Sequence, residues 1–385
     1  MEIVLVGPYP LSSDCIRGGV ESSVYGLAQA LVARKHVVDV FDYPRLSGKD
    51  KSERHDLLTI HRYANNGAYN QYAAQRAKEI YRDIIALHPT VVHLHGTGEL
   101  SLLLYRAINN YGIPIILTVH GLLHEEKKNA LRKHPTIKHL YQYFRQSNIE
   151  FKLMSLASNI IVDTKYVADK INEYYVKRKI SKLPNINIIP QGINEHFTLL
   201  YDKDKKFSKN ILCVGSISKR KGHLYLVDAF EKVCQIIPDA KLVIAGVKSE
   251  VVYYNLLTQR IYSSKYKNNI VLLTDLPQEE LYKYYSQASL FALHSEEESQ
   301  GIALVEAMGA GLPVVSTTVG GIPDVVTNKK TGLLSAYGNI DDFADSIISL
   351  LQNPNMISTM SIAAHKQALG YVWDSIAAKV ESVYP

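Results

Sequence analysis

The feature that most constrains this chain is a rhythm. Short runs rich in valine, isoleucine and leucine recur, each followed by a stretch with helical spacing. In the first half the runs are IVLVG, VVDVFD, VVHLHG, IPIILTVHG, NIIVDT and NINIIP, with GVESSVYGLAQALVAR and YAAQRAKEIYRDIIALH among the helical stretches. Parallel strands need a crossover connection, and a helix supplies it, so the alternation predicts βαβ units and a mainly parallel sheet. The segment EHFTLLYDKDKKFSKN is polar, lysine-rich and aperiodic, and reads as a linker. After it the rhythm restarts with NILCVGS, AKLVIAG, NIVLLTD, SLFALHS and PVVSTTV. A length of 385 residues makes two domains the default. The expected class is α/β, with two Rossmann-like, doubly wound domains facing one another across a cleft. The first is expected over residues 1–197, joined by a C-terminal helix at 366–385, and the second over 198–365.

Composition excludes several classes. An apolar fraction of 46% with 21% charged residues is that of a soluble globular protein. Cys15, Cys213 and Cys234 form no framework or metal pair and read as reduced, cytosolic thiols. The start, MEIVLVGPYP, reads as a first strand entering a loop and not as a signal peptide. No apolar run approaches the roughly 20 residues that span a bilayer. The net charge of +6 is uneven: residues 1–200 carry +7 and residues 201–385 carry −1. Lysines and arginines gather around 127–138 and 177–182. They form either a solvated helix face or a surface for anionic lipid headgroups or an anionic acceptor. Nucleic acid is not expected, because no signature of a nucleic-acid-binding module accompanies the charge.

Ligands of doubly wound sheets bind at the carboxyl ends of the strands. Gly18 and Gly19 stand where the loop after the first strand enters a helix. A glycine pair lets backbone approach a ligand, and a helix N-terminus favours an anion. His95 and His120 end the third and fourth runs, each followed by glycine. In the second half Lys219, Arg220 and Lys221 precede Gly222 at a strand exit, which suits a diphosphate. Then comes HSEEESQGIALVEAMGAGLPVV, with Glu298 before Gly301 and Glu306 beyond it. Were both acids on one helix, their spacing would correspond to roughly 12 Å along its axis. Retaining glycosidases hold their carboxylates about 5–5.5 Å apart, which argues against a hydrolytic pair. Instead, amides at Gly301 and Ile302 can hold phosphate oxygens at the helix start, with a carboxylate for sugar hydroxyls on either side. That is the demand of a nucleotide sugar.

These residues resemble the E-x7-E motif of the retaining family-four glycosyltransferases, which have the two-domain GT-B fold. RGGVESSVYGLAQAL is similar to that family's N-terminal loop and helix, VVHLHG and TVHG to its His-Gly strand exits, and IIPQGINEHF to its interdomain stretch. VGSISKRKG, VGGIPDVVTNKKTGLL and the closing YVWDSIAAKVESVY follow in the family's order, over most of the chain. The resemblance implies that Glu306 binds the ribose and Glu298 the transferred sugar. Gly301, Ile302 and Gly19 would hold the diphosphate. Lys221 would neutralise charge developing on the leaving group, and His120 would sit beside the reacting sugar and acceptor. It implies no metal and no cofactor; the DKD string at Asp202–Asp204 lies in the linker and is rejected as a metal motif.

The pattern is broken at Ser216, where the family has arginine, and at Gln191, Asn194 and Gln300. Arg220 or Lys219 would have to supply the missing cation. The expected reaction is retaining transfer of a sugar from a nucleoside diphosphate donor to a sugar or lipid-linked acceptor, by front-face attack. The expected setting is bacterial cell-surface glycan synthesis, in the cytoplasm or peripheral on the inner face of the membrane. The rivals are a phosphorylase or epimerase of the same fold, and a non-catalytic donor-binding subunit.

Overall fold

The computed structural model describes residues 1–12, 16, 18–46, 50–64, 69–179 and 183–385. Cys15, Arg17 of the RGGVESS loop, and Ile180, Ser181 and Lys182 of the second basic cluster lie outside the described residues. The chain divides into two compact units, Met1–Pro190 with Asp374–Pro385, and Gln191–Trp373.

The first unit is built on the strands β1 (Glu2–Gly7), β2 (Val37–Leu46), β3 (Lys51–His55), β4 (Leu58–Ala64), β5 (Val91–His95), β6 (Ile115–Val119), β7 (Asn159–Val162) and β8 (Asn185–Ile188). Among the described residues they form one sheet in the order β3-β4-β2-β1-β5-β6-β7-β8. The central strands are buried on both faces, which is why their sequences are nearly unbroken apolar runs. The hairpin of β3 and β4 is an addition to the sequence expectation. β4 pairs parallel with β2, and β3 closes the edge antiparallel. Its signal was weak because β3, KSERH, is charged and largely exposed, as edge strands tend to be. His95 and His120 therefore stand at the exits of the fifth and sixth strands, not the third and fourth.

The second unit holds β9 (Asn210–Val214), β10 (Lys241–Gly246), β11 (Ile270–Thr274), β12 (Leu290–Leu293), β13 (Val314–Thr317) and β14 (Gly332–Ser335). They form a parallel sheet in the order β11-β10-β9-β12-β13-β14. The order turns around at β9 and β12, the switch point where such sheets bind ligands.

The division between units falls at 190/191, ahead of the lysine-rich segment, because Ile193 and Phe197 are buried in the second unit's core. The return to the first unit begins at Asp374 and not at 366, since Ala368 still packs in the second core. The returning helix, Trp373–Glu381, is fixed to the first unit by charge and by a buried hydroxyl. Arg34 grips Glu381 through Nε and Nη2 at 2.7 and 2.8 Å, and reaches Asp374 at 2.9 Å. His36 adds a contact to Glu381 at 2.7 Å. Tyr384 places its hydroxyl 2.8 Å from Nδ1 of buried His93.

Candidate active site

In the second unit β9 and β12 are paired neighbours, so their exit loops meet. The approach of the two loops is closer than a side chain allows. Gly222 has φ +66°, and a Cβ there would lie 1.9 Å from the His294 carbonyl oxygen. Glu296 N–H donates to the Arg220 carbonyl at 2.8 Å. The loop after β13 closes from the other side. Gly320, at φ +55°, would put a Cβ 2.0 Å from the Glu298 carbonyl, which accepts from Gly321 N–H at 2.9 Å. Backbone alone thus fixes where Glu298 and Lys221 begin.

Their side chains meet. Lys221 Nζ donates to Glu298 Oε1 at 2.5 Å, and Ser295 Oγ donates to the same oxygen at 2.8 Å. Arg220 Nη1 is 3.7 Å from Oε2 and donates to the Glu297 carbonyl at 3.0 Å. The Lys221 and Glu298 side chains are only 12% and 6% exposed. Burial pushes the Glu298 carboxyl up, but Lys221 and Arg220 outweigh it and hold the group below the usual carboxylate range. The site therefore presents a fixed cation whose counter-charge is an acid on the neighbouring loop. Of the residues singled out in the sequence, Lys221, Arg220 and Glu298 come together.

Gly301 caps the helix Ile302–Gly309, in which Leu304 N–H makes a bond back to the Gly301 carbonyl. The amides of Gly301 and Ile302 precede that bond and lie at the positive end of the helix. Glu306 sits on the same helix, on a different partner. Tyr285 O–H donates to its Oε2 at 3.1 Å. Burial pushes the Glu306 carboxyl up to about 7, the Tyr285 bond only partly opposing it. The two glutamates of the motif are thus in opposite electrostatic states, one held ionised by cations and one poised to titrate near neutrality.

The departures from the family pattern have local explanations. Gln300 is buried and clamps the backbone of Gln191: Gln191 N–H donates to its Oε1 at 2.7 Å, and its Nε2 donates to the Gln191 carbonyl at 3.1 Å. The two unusual residues form one contact. Ser216 Oγ lies 3.4 Å from Ser218 Oγ, and the second cation beside Glu298, after Lys221, is Arg220 and not Lys219, whose N–H faces Glu250. Asp202 accepts from the Asp204 N–H at 2.9 Å, a turn contact that accounts for the DKD string.

In the first unit Gly19 opens the helix Gly19–Ala33, and the helix is preceded by extended Gly18. His120 lies just past β6 with both ring nitrogens engaged. Nδ1 is 3.3 Å from Asp163 Oδ2, and Nε2 is 3.2 Å from His95 Nδ1. With Nδ1–H donating to Asp163, Nε2 is the acceptor and His95 donates to it. His95 stacks on His93 at 4.3 Å and on His120 at 5.4 Å between ring centroids. His93 Nε2 is 2.6 Å from Thr118 Oγ1. Burial, with His120 nearby, pushes His93 down to about 3, and burial with both neighbours lowers His95 well below the usual histidine range.

Sequence reasoning missed Asp163, Ser295 and Tyr285. Asp163 had the clearest signal, since NIIVDT puts it at the exit of β7, paired beside β6. Ser295 and Tyr285 had no separate signal; their roles arise from contact.

Two family models together account for most of the chain. "Glycosyltransferase Family 4" matches residues 17–196 and "Glycosyl transferases group 1" matches residues 199–367. A probable sucrose-phosphate synthase of Thermosipho melanesiensis is 27% identical over 313 residues, covering 78% of this chain and 69% of that protein. Among solved structures, sucrose-phosphate synthase from Thermosynechococcus elongatus superposes with a TM-score of 0.75 at 19% identity, covering 100% of this chain and 98% of its own. HepE of Anabaena, solved in complex with UDP-glucose, has a TM-score of 0.72 at 15% identity, covering 100% and 99%. The fold class is GT-B, two Rossmann-like α/β domains with mostly parallel sheets.

Proposed function

We propose that this chain, a glycosyltransferase of the family-4 type, moves a sugar from a nucleoside diphosphate donor to an acceptor hydroxyl with retention of anomeric configuration. The observation that carries the reading is the buried Lys221–Glu298 pair beside the helix start at Gly301 and Ile302. A diphosphate leaving group gains negative charge as the glycosidic bond breaks. Lys221, Arg220 and the amides of Gly301 and Ile302 offset that charge. As they do so, Glu298 gives up part of its hold on Lys221 and accepts hydroxyls of the transferred sugar. Glu306 accepts the ribose hydroxyls. Gly19 and His120 of the first unit carry the roles the family resemblance implies, at the diphosphate and at the reacting sugar. In this reading the acceptor attacks the front face and the leaving phosphate takes its proton, with no covalent intermediate on a carboxylate. The charge is met by lysine, arginine and helix amides, so no divalent cation is required, and transfer is expected to survive excess EDTA.

The solved relative that carries UDP-glucose makes that nucleotide sugar the first donor to try. A panel of nucleotide sugars in a thermal-shift assay identifies the donor, because a ligand of the native state raises apparent stability by mass action. Release of nucleoside diphosphate only when acceptor is present, with product of retained configuration, supports the reading. Tight binding with no turnover against any acceptor overturns it. The excess of positive charge in residues 1–200 favours a lipid-linked acceptor met at an anionic membrane surface, within cell-surface glycan synthesis.

A further inference from the structure

The helix Ile137–Leu156 of the first unit has two apolar faces of different kinds. Ile149, Leu153 and Met154 are buried in the core. At the other end Ile137, Leu140, Tyr141 and Phe144 are 88%, 43%, 65% and 61% exposed. Their spacing of three, four and seven residues puts them on one face. Single exposed apolar residues are ordinary, but four large ones side by side are not.

Basic residues flank this face in the sequence, with Glu125 and Glu126 among them. Lys138 lies beside it, and the preceding helix Leu123–Lys133 carries Lys127, Lys128 and Arg132. Between these helices and Lys165–Lys177 opens a cavity of about 140 Å³, into which Lys128, Lys170, Lys177 and Arg178 project along with Glu125 and Glu173. Lys128 is 3.1 Å from Glu125, and Lys170 and Lys177 are 3.4 and 3.9 Å from Glu173, so each lysine of the cavity has an acidic partner, and Arg178 donates to Ser147 at 2.9 Å. Among the described residues no helix is long and apolar enough to cross a membrane.

We propose that this face inserts into the interface of an anionic lipid bilayer. Ile137, Leu140, Tyr141 and Phe144 enter the boundary between headgroups and acyl chains, while the lysines and arginines around them meet headgroup phosphates. An apolar stripe flanked by basic residues is the pattern of a helix lying in a membrane surface. The lysine-rich rim argues against a protein partner, because the cores of protein interfaces are depleted in lysine. The inference rests on the lipid-linked reading only for its purpose, and adds an apolar contribution to one of charge alone. Binding needs neither donor nor acceptor. A protein that binds vesicles without transferring sugar would therefore overturn the transferase reading and leave this one standing.

The test uses the full chain and vesicles of phosphatidylcholine with or without phosphatidylglycerol. The parent is expected to co-sediment with the anionic vesicles only, and to retain part of its binding at high salt. The variant Ile137→Ser/Tyr141→Ser/Phe144→Ser changes exposed positions and should keep the parent's melting temperature. It is expected to bind roughly tenfold more weakly or worse, with the remainder abolished by salt. In a Phe144→Trp variant, emission should shift to the blue on anionic vesicles and be quenched by brominated lipid, beyond what Trp373 gives in the parent. Equal binding by the serine variant, or an unshifted and unquenched tryptophan, overturns the proposal. So does a dimer in light scattering that the serine variant abolishes, since the face would then be an interface between copies of this chain.

Discussion

The strand exits of the two units solve different electrostatic problems. In the second unit the exits of β9 and β12 hold Lys221, Arg220 and Glu298, charged and compensated. In the first unit the exits of β5, β6 and β7 hold His95, His120 and Asp163, with His93 behind them. Two of those rings are kept neutral by burial. A doubly anionic group calls for fixed positive charge that needs no reorganisation. A reacting sugar and hydroxyl call for oriented polar atoms with little net charge. In the proposed reaction the same architecture would supply both, because residues just past the strands are not held to the apolar pattern that burial on both faces imposes on the strands themselves.

The sharpest way to break this contrast is to remove the cation. Lys221→Ala leaves a buried Glu298 with Ser295 and the exposed Arg220, and deletes the cation proposed to meet the leaving phosphate. Turnover is expected to fall by about 10²–10³, with a much smaller change in nucleotide affinity. Steady-state kinetics and nucleotide titration separate the two, and a mutant that merely raises KM would contradict the assignment. Next is Asp163→Asn, which keeps the shape of the first unit's cluster but changes the hydrogen bond that orients His120. We expect kcat to drop by roughly tenfold to a hundredfold and its pH profile to move, with nucleotide affinity intact. An unchanged profile would reduce Asp163 to a packing role.

Glu306 sharpens the comparison within the second unit. Burial pushes its carboxyl up to about 7 from an ordinary 4.5. An ionised carboxylate accepts two ribose hydroxyls better than the protonated acid does. Affinity for nucleoside diphosphate should therefore rise as the pH goes from about 6 to 8, by up to roughly tenfold, and Glu306→Gln should bind more weakly with a flat profile. The stability linkage has the opposite sign. An acid with a raised native value favours the folded state fully below 4.5, and that advantage is lost as the pH rises through about 7. Glu306→Gln should thus melt higher than the parent at pH 8 and nearly together with it at pH 4. The smallest effect belongs to Tyr384→Phe. It strands Nδ1 of buried His93, and should cost the first unit about 1–2 kcal/mol while turnover changes by less than about threefold. Calorimetry that shows no loss would mean the hydroxyl contact contributes nothing to holding the C-terminal return.

The individual residues of the candidate site were legible along the chain. Glu298, Gly301, Glu306 and Lys221 announce themselves through local spacing, and the strand–helix rhythm declares two parallel sheets, because period and burial on both faces are local properties. The β3–β4 hairpin was not legible, since a charged edge strand lacks that pattern. The exposed face of helix Ile137–Leu156 was not legible either: period alone shows that apolar residues share a side, never whether another element covers it.

What the sequence by itself determined is which side chains stand at the ends of strands. Which of them touch was decided only by the order of strands in each sheet. Lys221 reaches Glu298 across 77 residues, Gln300 reaches Gln191 across 109, and Tyr384 reaches His93 across 291. The first exists because parallel crossovers lay β9 beside β12, and the last because the chain returns to the first unit at its C-terminus. Such contacts, at 2.5–2.8 Å, depend on distances set by whole sheets, and a linear pattern carries no record of them.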